Sequence, residues 1–433
     1  MSDATVTPPA RHEGHAISPS DTAVGVIIGR TSEFFDFFVF AIACVIVFPQ
    51  RYFPFETPLR GTLWAFVIFA LAFIARPVGT AIFTRIDRAH GKGTKLTLAL
   101  FLLGSCTVAM GLVPSYENIG AASIWILCLL RIGQGLALGG AWDGLPSLLN
   151  MTAPRDKRGL YAMVPQLGAP LGLIVASLLF AFLVSSMSEA DFLEWGWRYP
   201  FFVAFAINVV ALFARLRIVV SPDYKQMFQA RHLEPIPLKQ AIAEDGRTIL
   251  AGTFVPLASA AMFHMVTVFP LSWVYLFTGE RVATFLLIEA LAAAFGFGAI
   301  ILSGFLADMI GHRKLLLRGA VGIAIFAVIA PMMLSRSGVG EAIYMIVGFS
   351  LLGISFGQSS GAVASMFEAS HRYTGSSLVS DLSWLFGAGF APLSALGLSA
   401  WLGLGAAGLY LLSGAICTIL ALWFATRLEF GKS

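Results

Sequence analysis

The feature that most restricts this chain is a succession of long apolar runs. They lie near 22–49, 60–84, 95–114, 121–149, 159–185, 199–219, 248–277, 283–307, 314–335, 340–366, 374–400 and 403–427. A helix needs about 20 mostly apolar residues to cross about 30 Å of hydrocarbon, and each of these twelve runs is of that order. Barrel strands would be about half as long and would alternate in polarity; these runs do neither. Hydrophobic residues make up 58% of the 433 positions and charged residues 12%, against about 25% charged in a soluble domain. No water-soluble fold hides so much apolar surface. The chain therefore reads as an all-α membrane protein of twelve transmembrane helices. The same balance excludes a soluble enzyme, a nucleic-acid-binding domain and a secreted disulfide scaffold. Cys44, Cys106, Cys128 and Cys417 each sit within an apolar run and read as lipid- or core-facing thiols, not as disulfides or metal ligands.

The loops between the runs alternate in charge. With an even number of spans both termini share one side. Twenty of the 28 Lys and Arg residues fall on that side, and five (Arg51, Arg60, Arg198, Arg281 and Arg336) on the other. Basic loops stay in the cytoplasm, so both termini are expected there. Residues 1–21 hold Pro8, Pro9, His12 and His15 but no apolar run; they read as a disordered cytoplasmic tail and not as a signal peptide. Residues 428–433 form a second tail. The longest internal loop, 220–247, is polar and contains Pro222, Pro235 and Pro237. It divides the spans into bundles at 22–219 and 248–427, and reads as a cytoplasmic linker.

The two halves echo each other. Gly91, in the loop after span two, and Gly311, in the loop after span eight, are 220 residues apart; Arg158-Gly159 and Thr374-Gly375 are 216 apart. Paired six-helix halves imply a cavity between them and a rocking of one half against the other. The second loop runs Gly304-Phe-Leu-Ala-Asp308-Met-Ile-Gly311-His312-Arg313-Lys314. Its Gly304, Asp308, Gly311, Arg313 and Lys314 match the loop signature of the major facilitator superfamily, which the chain resembles. Further stretches resemble the superfamily's metabolite:proton symporters: Glu33 to Phe38, Ala75-Arg76-Pro77-Val78-Gly79, Arg131-Ile-Gly-Gln134-Gly135, Gly196 to Phe201, and Arg372-Tyr373-Thr374-Gly375. They occur in family order from span one to span eleven. The resemblance implies alternating-access uptake of a small metabolite with protons across a bacterial inner membrane, by a monomer. It also implies a gating role for the two loops, with Asp87, Arg88 and Gly91 in the first. The chain departs from the family pattern at Thr84, where the family has Gly, and at Asp87, one place early. It departs again at Arg30, and at Gly139-Gly140-Ala141-Trp142-Asp143-Gly144, where the acid moves from 141 to 143.

An ionisable side chain inside a span is costly unless paired or hydrated, so each is a functional candidate. Those present are Arg30, Glu33, Asp36, Arg76, Arg131, Asp143, His264, Glu289 and Asp381. Arg30 and Asp143 both lie roughly 10 Å from the cytoplasmic face at 1.5 Å per residue. They are expected to pair, or to admit a substrate carboxylate between them; Glu33, three residues from Arg30 on one helix face, competes. Glu33, Asp36, Asp143 and Glu289 are the candidates for carrying protons. Arg30, Phe34, Phe37, Arg131, Trp142, His264, Gln358 and Asp381 are the candidates for holding substrate. Each also has a structural alternative: Asp36 as a hydrogen-bond hub, His264 as a satisfied core residue, Arg131 bound to backbone. Arg76 is shallow enough to snorkel to the surface. Gly135-x-x-x-Gly139, Gly140-x-x-x-Gly144 and Gly353-x-x-x-Gly357-x-x-x-Gly361 offer close helix crossings.

No phosphate-binding Gly-Lys-Ser/Thr loop and no Cys/His metal constellation occurs in the chain, so no cofactor or metal is expected. The partners expected are a small-molecule substrate, protons and the bilayer. Arg30, Arg131 and His264 favour an organic anion. A proton-linked exporter, motivated by Gly168-Ala-Pro170-Leu-Gly172, and a transporter-like sensor acting through 220–247 are the alternatives.

Overall fold

A computed structural model describes residues 19–141, 145–154, 156–230, 234–334 and 338–430. All regular structure among them is helical. The first span, α1, is Pro19–Ile46. The next helix, Pro58–Leu112, has 55 residues, about 80 Å at 1.5 Å per residue, far longer than a bilayer is thick. It contains two spans because Gly91 breaks it with φ 83° and ψ 166°; α2 is 58–90 and α3 is 92–112. Then follow α4 (Ala122–Gly140), α5 (Arg158–Ser186), α6 (Gly196–Val219), α7 (Leu238–Phe277), α8 (Val282–Ile310), α9 (His312–Leu334), α10 (Val339–Ala364) and α11 (Arg372–Leu402). The last, α12, is Gly405–Phe430.

The repeat appears in the backbone. Gly311 ends α8 with φ 88°, matching Gly91. Neither glycine has a neighbour where a Cβ would stand, so the left-handed backbone, not crowding, calls for glycine at both turns. Close crossings repeat too. A Cβ on Gly135 of α4 would lie 2.3 Å from the Ala72 carbonyl oxygen of α2, and one on Gly353 of α10 would lie 2.6 Å from the Gly296 carbonyl oxygen of α8.

In the first half α1 packs on α5 and α6; in the second α7 packs on α10 and α12, and α9 on α12. The halves meet where α5 touches α8, α2 touches α11 and α1 touches α7. Two of these helices are irregular at mid-membrane. Thr267 (φ −110°, ψ −75°) divides α7, and a π turn at Leu385–Gly389 interrupts α11. The loop end that holds Gly91 and Gly311 is called the basic end below, and the other the far end.

Two expectations are corrected. Helix α7 begins at Leu238, not 248, because Ala241 and Ile249 pack with Val363, Phe367 and Val379. The linker shrinks to the helix Pro222–Ala230 and the short stretch before Leu238. Arg215, one of the twenty basic residues assigned above to the side of the termini, is 4% exposed inside α6.

Candidate functional site

Two small cavities meet between the halves. One, of about 80 Å³, is lined by Arg30, Gln166, Ser259, Ser376, Ser383 and Trp384 among others. The second, of about 40 Å³, is lined by Arg30, Glu33, Phe34, Phe37, Arg76 and Arg131 with their neighbours. Arg30 and Trp384 belong to both walls.

Glu33 organises the charge there. Its Oε2 accepts from Arg30 Nη1 at 2.7 Å and its Oε1 from Arg215 Nη1 at 2.5 Å. Arg215 also donates to the Ala141 carbonyl at 2.5 Å. The sequence carried a signal for this reach: Gly29 lies one turn before Glu33, and a Cβ on it would stand 2.6 Å from Arg215 Cδ. The glycine lets an arginine from α6 lie across α1. Arg30 therefore pairs with Glu33 among the described residues; Trp142 and Asp143 lie outside them. One carboxylate answers two guanidiniums, and Arg30, with a fifth of its side chain exposed, faces the cavity.

Asp36 is enclosed by neutral donors. It accepts from Thr107 at 2.6 Å, Gln134 at 2.9 Å and Asn208 at 2.8 Å, and so ties α1 to α3, α4 and α6. Arg131 reaches the same hub by donating to Gln134 Oε1 at 2.8 Å and lies 4.0 Å over the Phe40 ring. Its guanidinium is held by aromatic faces and a backbone carbonyl (Phe69, 3.3 Å), with no direct acid partner among the described residues.

An aromatic cluster crosses between the halves. Phe38 stacks on Phe263 at 5.7 Å, and Phe34 lies 5.7 Å from Phe263 and 6.0 Å from Trp384. His264 is fully buried within it, stacked on Phe37 at 5.4 Å, with Nδ1 3.3 Å from Thr267 Oγ1. Buried polar atoms in this region without a hydrogen-bond partner among the described residues include Gln166 Oε1, Ser376 Oγ, His264 Nε2, Arg30 Nε and Arg131 Nη2. The first two residues line the larger cavity, where a polar ligand would satisfy them.

The family profile described as Major Facilitator Superfamily matches residues 26–392. The chain belongs to that superfamily. It is a multi-pass membrane transporter, not an enzyme. The inner membrane metabolite transport protein YhjE of Escherichia coli (strain K12) is 35% identical over 414 residues, covering 94% of this chain and 93% of that protein. The Shikimate transporter of the same strain is 28% identical, covering 86% of each. Among solved structures, the partially occluded inward-open conformation of the xylose transporter XylE from E. coli superposes with a TM-score of 0.73. It is 15% identical and covers 94% of this chain and 97% of that one, a likeness of fold alone.

Contacts bridge the two halves of this facilitator at both ends. At the far end Gln50 donates to the Tyr275 hydroxyl at 2.8 Å. At the basic end Asp308 caps the start of α5, accepting from Gly159 N at 2.5 Å and Leu160 N at 3.3 Å; Gly159 makes room, since a Cβ on it would lie 2.5 Å from the Gly304 carbonyl oxygen. The first loop makes the mirrored contact despite its departures from the family pattern: Tyr373, at the start of α11, donates to Asp87 at 3.2 Å and accepts from Lys95 at 2.7 Å. Arg88 is exposed near Gly91, and Arg313 opens α9 beside Gly311.

Gln358 is brought to this closure and not to the cavity. Its Nε2 donates to Gly159 O at 3.2 Å and Ser303 Oγ at 3.1 Å, and its Oε1 lies 2.7 Å from His312 Nδ1. Arg76 does not snorkel: its Nε lies 2.7 Å from Asp381 Oδ1 across the α2–α11 contact, where Thr80 also donates to Asp381. Glu289, away from both cavities, accepts from Ser177 at 3.0 Å across the α5–α8 contact. Gly168 and Gly172, the stretch that motivated the exporter reading, lie against the α1 backbone near Arg30 and Phe34, where they serve helix packing. The residues that sequence reasoning missed are Arg215, Gln166 and Trp384.

Proposed function

We propose that this facilitator carries a small organic anion across the membrane together with protons, by exposing its central cavity alternately to the two sides. The observation that supports this is the sharing of Glu33 between Arg30 and Arg215 at the cavity wall. When Glu33 takes up a proton, the pairing lapses and Arg30 is left with a positive charge facing the cavity. A substrate carboxylate then replaces Glu33 as its partner. When the proton leaves, Glu33 reclaims Arg30 and the anion is released. Anion and proton bind as one neutral load, so neither travels well alone. Gln166 and Ser376 supply polar contacts, and Phe34 and Trp384 supply walls. Asp36 and Arg131 hold the first half together around the site. The relatives named for metabolite and shikimate transport agree with a small polar load.

The basic end is taken as cytoplasmic on the distribution of Lys and Arg, which places both termini inside. Two measurements test the reading. In a thermal-shift screen of the purified protein, carboxylates are expected to raise the melting temperature of the wild type by mass action and not that of Arg30→Gln. If zwitterions or neutral polyols alone shift it, the anion assignment falls. In vesicles loaded alkaline inside, uptake of the stabilising ligand is expected to exceed that without a gradient and to collapse with a protonophore. Uptake indifferent to the gradient removes the proton from the mechanism.

A further inference from the structure

A roomier cavity lies away from the central site. It is a cleft of about 960 Å³ at the basic end, between the α2–α3 turn, the end of α6 and the helix Pro222–Ala230. Its wall is of two kinds. Arg88, Lys92 and Lys225 supply positive charge. Leu98 and Val220 add exposed apolar surface, at 47% and 51%, with Val220 beside Gly93 and Leu98 further along α3. Leu98 lies six residues beyond Lys92, about 9 Å deeper along α3. The cleft thus runs from the basic residues at the α2–α3 turn to apolar surface further along α3.

We propose that this cleft binds the headgroup of an anionic phospholipid, with the acyl chains along Leu98 and Val220. The exposed Arg88 and Lys225 present charge to a phosphate. Of the two acids on the wall, Asp87 is already engaged by Lys92, Lys95 and Tyr373; the exposed Glu234 is the one carboxylate that opposes a phosphate there, against Arg88, Lys92 and Lys225. A soluble anion would gain nothing from the apolar side, which is why a lipid fits better than free phosphate.

The site is joined to the closure of the basic end through Lys92. Its ammonium is 3.5 Å from Asp87, 4.0 Å over the Phe228 ring and 4.7 Å over the Tyr373 ring. A phosphate in the cleft draws Lys92 away from Asp87 and Tyr373, and so loosens the contact by which α3 and α11 meet.

The test uses the full-length protein in detergent, given phosphatidylglycerol or phosphatidylcholine, with bound lipid counted by native mass spectrometry. The wild type is expected to retain phosphatidylglycerol in preference to phosphatidylcholine. Retention is expected to fall roughly fivefold for each charge removed in Arg88→Gln and Lys225→Gln. Both side chains are exposed, so the variants are expected to fold; Lys225→Glu is the second variant and is expected to fall further. Equal retention of the two lipids, or unchanged retention in the variants, overturns the proposal. So does displacement of the lipid by millimolar inorganic phosphate, which would assign the cleft to a soluble anion. Hydrogen exchange over 372–380 is expected to be several-fold faster in phosphatidylglycerol nanodiscs than in phosphatidylcholine; equal exchange overturns the link to the closure.

Discussion

At the scale of single residues, Arg215 and Arg30 contact the same carboxylate but differ in what their loss should do. Arg215 is buried and bridges α6 to α1 and to the end of α4. Breaking a buried ion pair by removing one partner costs about 3–5 kcal/mol. Arg30 faces the cavity and can be replaced there by water. Arg215→Met is therefore expected to lower the melting temperature in detergent clearly more than Arg30→Gln, and equal losses would contradict this division of labour. Asp36 and Glu33 divide in the same way. Asp36→Asn puts a donor where three donors already converge, and losing a satisfied buried acceptor costs about 1–3 kcal/mol. The variant is expected to be less stable yet to retain gradient-driven uptake. Glu33→Gln is expected to lose the dependence on the gradient while still binding anion, as read by thermal shift and vesicle flux on the same preparations.

At the scale of elements, glycines do two different jobs, and substitution separates them. Gly135 and Gly139 let α2 and α4 cross with backbone touching backbone; a Cβ on either would lie 2.3 Å from a carbonyl oxygen of α2. Neither backbone can yield without moving its helix, so Gly135→Ala is expected to cost about 1–3 kcal/mol by overpacking. Gly91 has free space around it but a positive φ, so Gly91→Ala is expected to cost about 1–2 kcal/mol through the backbone alone. Gly298, in mid-helix with open space beside it, is the control. There alanine is expected to be neutral or to stabilise by up to about 1 kcal/mol. Melting temperatures of the three variants check the order, and a destabilised Gly298→Ala would show that helix position alone, not packing, governs the series.

At the scale of the whole molecule, transport requires that the two closures open in turn. The basic end is held by Asp308 on the α5 amides and by Tyr373 on Asp87; the far end is held by Gln50 on Tyr275. A charge-assisted hydrogen bond is worth about 1.5–3 kcal/mol, enough to shift an open-to-closed ratio by tenfold or more. Asp308→Asn is therefore expected to speed labelling of a cysteine placed at Ser380, on the cavity wall, by a thiol reagent applied from the basic end. Gln50→Ala is expected to speed it from the far end by a smaller factor, since that bond is neutral. Asp308→Asn with unchanged labelling would remove this aspartate from the closure. The same experiment fixes which end of the protein faces which side of the membrane.

Much of the architecture follows from local chemistry and is present in the order of residues. A run of about 20 apolar residues has to be a span, and a glycine followed by basic residues at the same place in each half marks the turn where left-handed backbone is needed. Small residues every fourth position mark a close crossing. These properties belong to a few neighbouring residues, and Gly91, Gly311, Gly135 and Gly353 carry them on their own. The partners of the buried charges belong to no single stretch. Depth along a helix can be counted from the sequence, and it placed Arg30, Glu33 and Asp381 inside the membrane. The rotation of each helix and the identity of the residue facing it cannot be counted. Thus Arg215 passes for a loop cation, Arg76 for a surface one, and Gln358 for a cavity residue. Only when α6 crosses α1 at Gly29, α11 meets α2, and α10 meets α5 do Glu33, Asp381 and Gly159 acquire those partners. The energy of such pairs depends on burial and distance, and both are created by helices that lie 182, 305 and 199 residues apart in the chain at these contacts.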